Sequence, residues 1–456
     1  MILNVLVKPV WIFFIDRQVQ NLVGHEAYGR YFAILNLSIV LFFLADAGFT
    51  SMINQRIAHR VHVNVKQLLK VKLLLLLVYA LTCFLVAWLS GIRNLQLLAY
   101  VVIIQMLTSV FLFVRSIVTA NQFFTADAML SIMDKFLMVL ICGAIIYTSF
   151  FGLIDLILFL QIQAACIALA VLTGFGFLFN KNIITAGAKD SAVSLLRLVL
   201  PFATIILLMS IHNRIDGFLL ERIHPNGAYE AGIYAAAYRL LDAANMAGYL
   251  AGSFLVPFIA RHQSENKSFE KVLLVSRHGL LFLSMAVVAF CFVFGNWIQQ
   301  VLYHASAPYP TLIIQLCLAS LPAYYIIHVY GALLTATGQL RSWIIILIVS
   351  ATINLMLNFL MLKGLGAQGC CIAALVSQYF CALAVYIIAS RNSAIALAGK
   401  WWIFYFMAAA VLAGTFYLGR QLLINVWIIL AVLTVPAVSF LLMQWKFLKS
   451  RFSSQS

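Results

Sequence analysis

Charge is what this sequence lacks. Asp and Glu together number 13 in 456 residues, Lys and Arg 29, and charged residues make up only 9% of the chain. A water-soluble domain of this size carries about a quarter charged residues, so a soluble globular fold is excluded. There is no Gly-rich phosphate loop, no HExxH and no soluble nucleotide domain, which excludes ATP hydrolysis as an energy source. The eight cysteines (Cys83, Cys142, Cys166, Cys291, Cys317, Cys370, Cys371 and Cys381) lie in or beside apolar runs. None has CxxC or Cys/His ligand spacing, so they indicate neither a disulfide framework nor a zinc site and read as core packing.

What is present is apolar sequence. Hydrophobic residues make up 64% of the chain and the mean hydropathy is +1.04. A bilayer core needs roughly 20 apolar residues per helical span, and such runs recur throughout. Backbone groups in lipid must bond internally, so spans are helices or a closed barrel. Barrel strands alternate in polarity over about ten residues, whereas Val71–Leu89 and Trp343–Leu362 are continuously apolar. The fold class is therefore an all-α polytopic membrane protein. Spans are expected at 3–23, 30–52, 71–90, 96–118, 130–150, 153–179, 195–220, 230–260, 273–300, 311–336, 342–362, 370–390, 402–419 and 425–445, about fourteen crossings of the phospholipid bilayer. The first carries Lys8, Pro9, Asp16 and Arg17 without a small-residue cleavage site, and reads as a retained span.

The net charge of +16 sits in short loops, where it sets orientation and is no signature of nucleic-acid binding. With a cytoplasmic N-terminus, one side collects Arg56, Arg60, Lys66, Lys70, Lys72, Lys181, Lys189, Arg197, Arg261, Lys267, Lys271, Arg277, Arg341, Arg391, Lys400, Lys446, Lys449 and Arg451. The other receives only Arg30, Arg93, Arg222, Lys363 and Arg420. An even span count with both termini cytoplasmic satisfies this bias.

A faint repeat accompanies the spans. Pro9 and Pro201 stand near the starts of spans one and seven. Across a short turn come Gly29-Arg30-Tyr31 and Gly232-Ile233-Tyr234. The registers differ by more than two helical turns. Duplicated six-helix lobes related by an axis along the membrane normal would explain the pattern; chance similarity between membrane helices is the alternative.

The informative residues are charges inside spans: Lys8, Arg17, Arg115, Lys135, Arg214 and Arg239, with Asp16, Asp134, Asp216 and Asp242. Each costs roughly 2.5–3.5 kcal/mol at a helix centre, so such groups face a bundle interior or wet cavity. Lys8 and Arg115 lie near helix ends and can snorkel. Arg239 and Asp242 are i,i+3 and can pair on one face. Arg214 and Asp216 point to opposite sides. His212 and Asp216 share a face, as do Asp16 and Gln20, and Arg17 stacks with Gln20 and Asn21; Asp16, His212, Asp216 and Asp242 are candidates for coupling to H⁺ or Na⁺. Asp134 and Lys135 suit a local ion pair. Arginine grips phosphate bidentately and stays charged. Convergence of Arg17, Arg214 and Arg239 on one cavity would suit an anionic phosphate or diphosphate, with Tyr31, Tyr234 and Tyr238 stacking on sugars.

Lys8-Pro9-x-Trp11, Ile15-Asp16-Arg17, Gln20-Asn21, Gly24, Tyr28-Gly29-x-Tyr31, Asp46-Ala47-Gly48-Phe49 and Arg56-Ile57-Ala58 resemble the polysaccharide flippases, as do His212-Asn213-Arg214-Ile215-Asp216-Gly217, Ala231-Gly232-x-Tyr234 and Tyr238-Arg239-Leu240-Leu241-Asp242. These are the Wzx-like branch of the multidrug/oligosaccharidyl-lipid/polysaccharide exporter superfamily. The resemblance covers the layout of the whole chain. It implies two six-helix lobes (1–194 and 195–400) around a central cavity, plus two further helices and a cytoplasmic tail (401–456). It also implies transport of an undecaprenyl-diphosphate-linked oligosaccharide, for O-antigen or capsule, from the cytoplasmic to the periplasmic leaflet of a bacterial inner membrane. No cofactor is implied beyond a coupling ion, and other polysaccharide-assembly membrane proteins are implied partners. The alternatives are a drug/cation antiporter, for which an acidic cavity is expected, a peptidoglycan-lipid flippase, and a membrane enzyme acting on polyprenyl-linked sugars. The enzyme needs external acid/base residues, and only Glu26, Asp155, Glu221, Glu230 and a few histidines are available.

Overall fold

The structure is a computed structural model that describes residues 7–46, 48, 65–148, 154–181, 192–264, 268–304, 307–392, 400–422 and 425–428. The described regular structure is helical: α1 (Val7–Asp46, including a π-helical turn at Trp11–Asp16), α2 (Val65–Leu89), α3 (Leu95–Ala120), α4 (Phe124–Thr148), α5 (Leu156–Asn180), α6 (Ala192–Ile223), α7 (Gly227–Ser264), α8 (Glu270–Tyr303), α9 (Pro308–Leu318), α10 (Leu321–Ala336), α11 (Leu340–Asn392) and α12 (Lys400–Gln421). Eleven helical stretches among the described residues are long and apolar enough to cross a membrane, α9 and α10 counting together as one.

Two of the eleven are hairpins. Tyr28 donates to Asp16 Oδ2 at 2.8 Å across 12 positions, which a straight helix would separate by roughly 18 Å. The reversal falls at Gly24, whose φ of 81° and ψ of 168° break the helix. In α11, Asn354 Nδ2 reaches Ser377 Oγ at 3.4 Å across 23 positions, and the chain turns at Gly366, φ 55°. Both turns need a positive φ that glycine adopts without a Cβ penalty. The Glu230 carboxylate pins the second turn: its Oε2 accepts from Ala367 N at 2.9 Å and from the Tyr309 hydroxyl at 2.5 Å. The expected spans one and two are thus the arms of α1, and spans eleven and twelve the arms of α11. Span ten is broken in two at Ala319 and Ser320, just before Pro322. The expected span at 425–445 lies outside the described residues after Ile428, as do Arg56, Arg60, Lys189 and the basic segment 446–451.

Three basic residues have surroundings that differ from the sequence reading. Lys72, expected in a loop, is buried on α2 and paired with Asp46 at 3.2 Å. Arg277, also expected in a loop, is buried on α8, donating to the Tyr330 hydroxyl at 3.1 Å. Arg115, expected to snorkel, forms a bidentate pair with Asp127 at 2.7 and 3.1 Å. In each case a partner on a neighbouring helix supplies what water would otherwise provide. Asp134 and Lys135 pair as expected, at 3.4 Å, with Lys135 Nζ also 4.3 Å from the centre of the Trp11 ring.

Helices α2–α5 pack together as one lobe and α6–α11 as a second, with α1 packed on both and α12 laid along α8. The second arm of α1 joins them by packing on α6 and α7. One core runs the length of α1–α5 and takes in α6–α11 only over the half nearer Gly24. Toward the other end the C-terminal lobe has a separate core of its own, around Leu255, Ile259, Leu273, Leu333 and Tyr386. The lobes are therefore closed on each other at the Gly24 end. The internal repeat lies at that closure. A Cβ on Gly29 would overlap the carbonyl oxygen of Ala228, and one on Gly232 would overlap that of His25. Each glycine touches the residue four before the other, the reciprocal pattern of a local two-fold axis.

Candidate functional site

At mid-depth the seam between the lobes carries four charges in alternation. Asp16 ends the π-helical turn of α1, Arg214 comes from α6, and Arg239 and Asp242 come from successive turns of α7. Arg214 grips Asp242 with both terminal nitrogens, at 2.9 and 3.2 Å. Arg239 Nε pairs with Asp16 Oδ2 at 2.7 Å and donates to the Tyr28 hydroxyl at 3.1 Å. The expected i,i+3 pair of Arg239 with Asp242 is stretched to 3.9 Å and is the weakest link in the chain. The reason is the Gly24 reversal, which delivers Asp16 to Arg239 from the other lobe, while Asp242 faces α6.

Aromatic faces complete the seam. The Arg214 guanidinium lies 4.7 Å from the centre of the Tyr238 ring, and that of Arg239 lies 5.9 Å from the centre of Phe32. The Arg239–Asp16 half is nearly closed, with side-chain exposures of 10% and 0%; the Arg214–Asp242 half is more open, at 17% and 19%. Arg239 Nη2 and Asp16 Oδ1 are buried without hydrogen-bond partners. The seam thus holds an unused donor as well as an unused acceptor. Such pairs persist in low dielectric only because each charge meets its opposite.

Arg17, Gln20 and Asn21 do not join this group. Arg17 is one residue beyond Asp16 and points elsewhere on the helix. Its Nη1 donates to the carbonyl oxygens of Leu302, at 2.6 Å, and Val301, at 3.4 Å, at the C-terminal end of α8. Asn21 Nδ2 donates to the same Leu302 oxygen at 2.9 Å, and Gln20 Nε2 to Gly232 O at 2.9 Å. A cation on the terminal carbonyls of a helix is favourable, so these three side chains act as a clasp between lobes. The expected convergence of three arginines is corrected to two.

The tyrosines also differ from expectation. Tyr31, Tyr234 and Tyr238 are only 2%, 2% and 5% exposed, leaving no open face for a sugar. The Tyr238 hydroxyl donates to Asn213 O at 2.6 Å, and that of Tyr234 reaches Asp216 Oδ2 at 3.4 Å.

Asp216 lies on the opposite side of α6, inside the C-terminal lobe. Asn358 Nδ2 donates to its Oδ1 at 2.8 Å, and Asn358 is bonded in turn to Asn354 O at 2.9 Å. His212, one turn earlier, is buried against the Ser377 backbone instead of on Asp216. No Lys or Arg forms an ion pair with Asp216 among the described residues. Asn354 and Asn358 are not among the residues expected from the sequence; their signal there is two asparagines one helical turn apart in an otherwise apolar span. Tyr28 was noted there only as part of a motif, and nothing in the sequence showed which charge it would meet.

Two lobes of membrane helices thus meet at a buried charged seam. Solved structures carry the same fold. A multidrug resistance MATE family transporter of the MOP superfamily, in an inward-facing conformation, matches with a TM-score of 0.65 and 17% identity over 86% of this chain and 96% of its own. A MOP superfamily transporter from Pyrococcus furiosus, described by the reverse polarity of its binding pocket, matches with a TM-score of 0.65 and 15% identity over 87% and 94%. The lipid II flippase MurJ, in an inward closed conformation, matches with a TM-score of 0.60 and 13% identity over 92% and 99%. Comparison with curated protein sequences gives no match. Residues 17–263, more than half of the chain, match the family model described as polysaccharide biosynthesis protein. The chain belongs to that family.

Proposed function

We propose that this protein is a flippase that moves an undecaprenyl-diphosphate-linked oligosaccharide from the cytoplasmic to the periplasmic leaflet of a bacterial inner membrane by alternating access. The observation that carries this reading is the pair Arg214 and Arg239, buried between the lobes in a chain of the polysaccharide biosynthesis family. Two guanidinium forks on adjacent helices offer the geometry that a diphosphate requires. In the present arrangement Asp16 and Asp242 occupy them, so the diphosphate competes with the carboxylates for the same donors. Arg214, on the more exposed half of the seam, meets it first, and the buried Arg239 Nη2 is an unpartnered donor for it once the seam opens.

Asp216 is the proposed coupling site. It is buried, it has no basic partner among the described residues, and Asn358 Oδ1 beside it is a buried acceptor without a partner. Oxygen donors around one carboxylate suit Na⁺ or a proton. The basic-loop bias supports cytoplasmic termini.

A drug/cation antiporter would need carboxylates free to meet a cation, whereas both acids of the seam are paired with arginine. A peptidoglycan-lipid flippase shares the diphosphate chemistry and is separated by the cargo extracted. The enzyme reading is disfavoured by what the external acids do. Asp155 caps α5, Glu230 pins the α11 turn, and Glu26 and Glu221 pair with neighbouring arginines.

The test is transport of extracted lipid-linked oligosaccharide in sealed vesicles, with Arg214→Gln and Arg239→Gln each expected to abolish it. Full transport by both variants overturns the proposal.

A further inference from the structure

The sugar-stacking role that burial denies to Tyr31, Tyr234 and Tyr238 has another candidate on the same face of the seam. Asp242 and Tyr249 are seven residues apart on α7. They therefore share a face, with Tyr249 about 10 Å further along the helix. On that face Asp242 meets Arg214 of α6, and these two are the charges whose field reaches the Tyr249 hydroxyl, so the ring stands beside the more open half of the seam. Tyr249 lies outside the shared core. It is 47% exposed, and its hydroxyl has no partner among the described residues.

A second ring is built in beside it. The His328 imidazole of α10 lies 4.5 Å from Tyr249, centre to centre, with the planes tilted by 54°. It is seated in a notch of α7. A Cβ on Gly248 would come within 2.6 Å of His328 Cδ2, so only glycine admits the ring. Asn245 Oδ1 lies 3.2 Å from His328 Nε2. An amide oxygen only accepts, so the imidazole donates from Nε2 and keeps Nδ1 as an acceptor. These contacts fix the ring without any charged partner.

We propose that Tyr249 and His328 form a carbohydrate subsite, receiving the first sugars of the cargo while Arg214 and Arg239 hold its diphosphate. The inference rests on the flippase reading and names the part of the cargo that reading leaves unassigned. A pyranose presents an apolar C–H face and a rim of hydroxyls. An exposed aromatic face flanked by its own phenol and an imidazole acceptor meets both. A bare phosphate would have no use for the half-exposed ring.

The experiment measures binding to purified full-length protein of two ligands: farnesyl diphosphate, which carries no sugar, and the lipid-linked oligosaccharide extracted from cells lacking the transporter. Tyr249→Ala is expected to weaken the glycosylated ligand on the order of tenfold, the loss of one good aromatic contact, and to leave farnesyl diphosphate binding unchanged. Tyr249→Trp keeps the stacking face and should bind both ligands, and His328→Ala should behave as Tyr249→Ala. Wild-type affinity for the glycosylated ligand in both alanine variants overturns the subsite and leaves the flippase reading standing. Parallel loss of both ligands in Tyr249→Ala makes the residue structural and also overturns it. Failure of the wild-type protein to bind either ligand removes the flippase reading, and the subsite with it.

Discussion

Gly29 and Gly232 hold the two lobes at backbone contact, each against a carbonyl oxygen on the other's helix. Neither carbonyl can move aside without bending its helix. Gly29→Ala or Gly232→Ala is therefore expected to cost about 1–3 kcal/mol where the lobes close, as overpacking does, and to leave each lobe intact. The check is transport beside a helicity measurement by circular dichroism: transport should fall while helix content holds.

Asp16 and Arg239 should prove strongly coupled. Removing one member of a buried pair strands the other, at about 3–5 kcal/mol. Asp16→Asn and Arg239→Gln are each expected to lower thermal stability more than the double variant does per substitution. Simple additivity in the double-mutant cycle would show that the two side chains do not pair.

The clasp of Arg17 and Asn21 on Leu302 should be readable by chemical labelling. The eight native cysteines are all buried, so an introduced thiol reports alone. In a Leu302→Cys background, Arg17→Ala with Asn21→Ala is expected to speed maleimide labelling at position 302, because the α8 terminus is released from α1. Unchanged labelling would mean that the glycine crossing alone closes this end.

Asp216→Asn should separate transport from its driving force. If Asp216 carries the coupling ion, the variant equilibrates cargo between leaflets without responding to an imposed H⁺ or Na⁺ gradient. A variant that still concentrates cargo on one side would place the coupling elsewhere.

The apolar spans were legible because lipid imposes one requirement on every helix: enough apolar length, read one residue at a time. Partnership between helices is not local, and there the reading failed. Lys72 and Arg277 look like loop cations until Asp46 and Tyr330 are found opposite them. Arg17 and Asp16 are adjacent in sequence, yet one meets the end of α8 and the other Arg239. Helical spacing assigned each a face correctly, but no spacing rule says which helix lies opposite. Exposure sets Tyr249 apart from Tyr234 and Tyr238, and exposure is a property of the packed helices that no single span carries.

The alternation of Arg214, Asp242, Arg239 and Asp16 has a consequence for membrane voltage. Moving one elementary charge across the full membrane is worth about 2.3 kcal/mol per 100 mV. Two guanidinium groups balanced by two carboxylates sum to zero, so the seam contributes no net charge movement when the unloaded lobes reorient. If the cargo is the proposed diphosphate and displaces the carboxylates, the loaded seam becomes anionic. The electrical work then belongs to the outward step with cargo aboard, and the empty return is indifferent to the potential as far as these four residues are concerned.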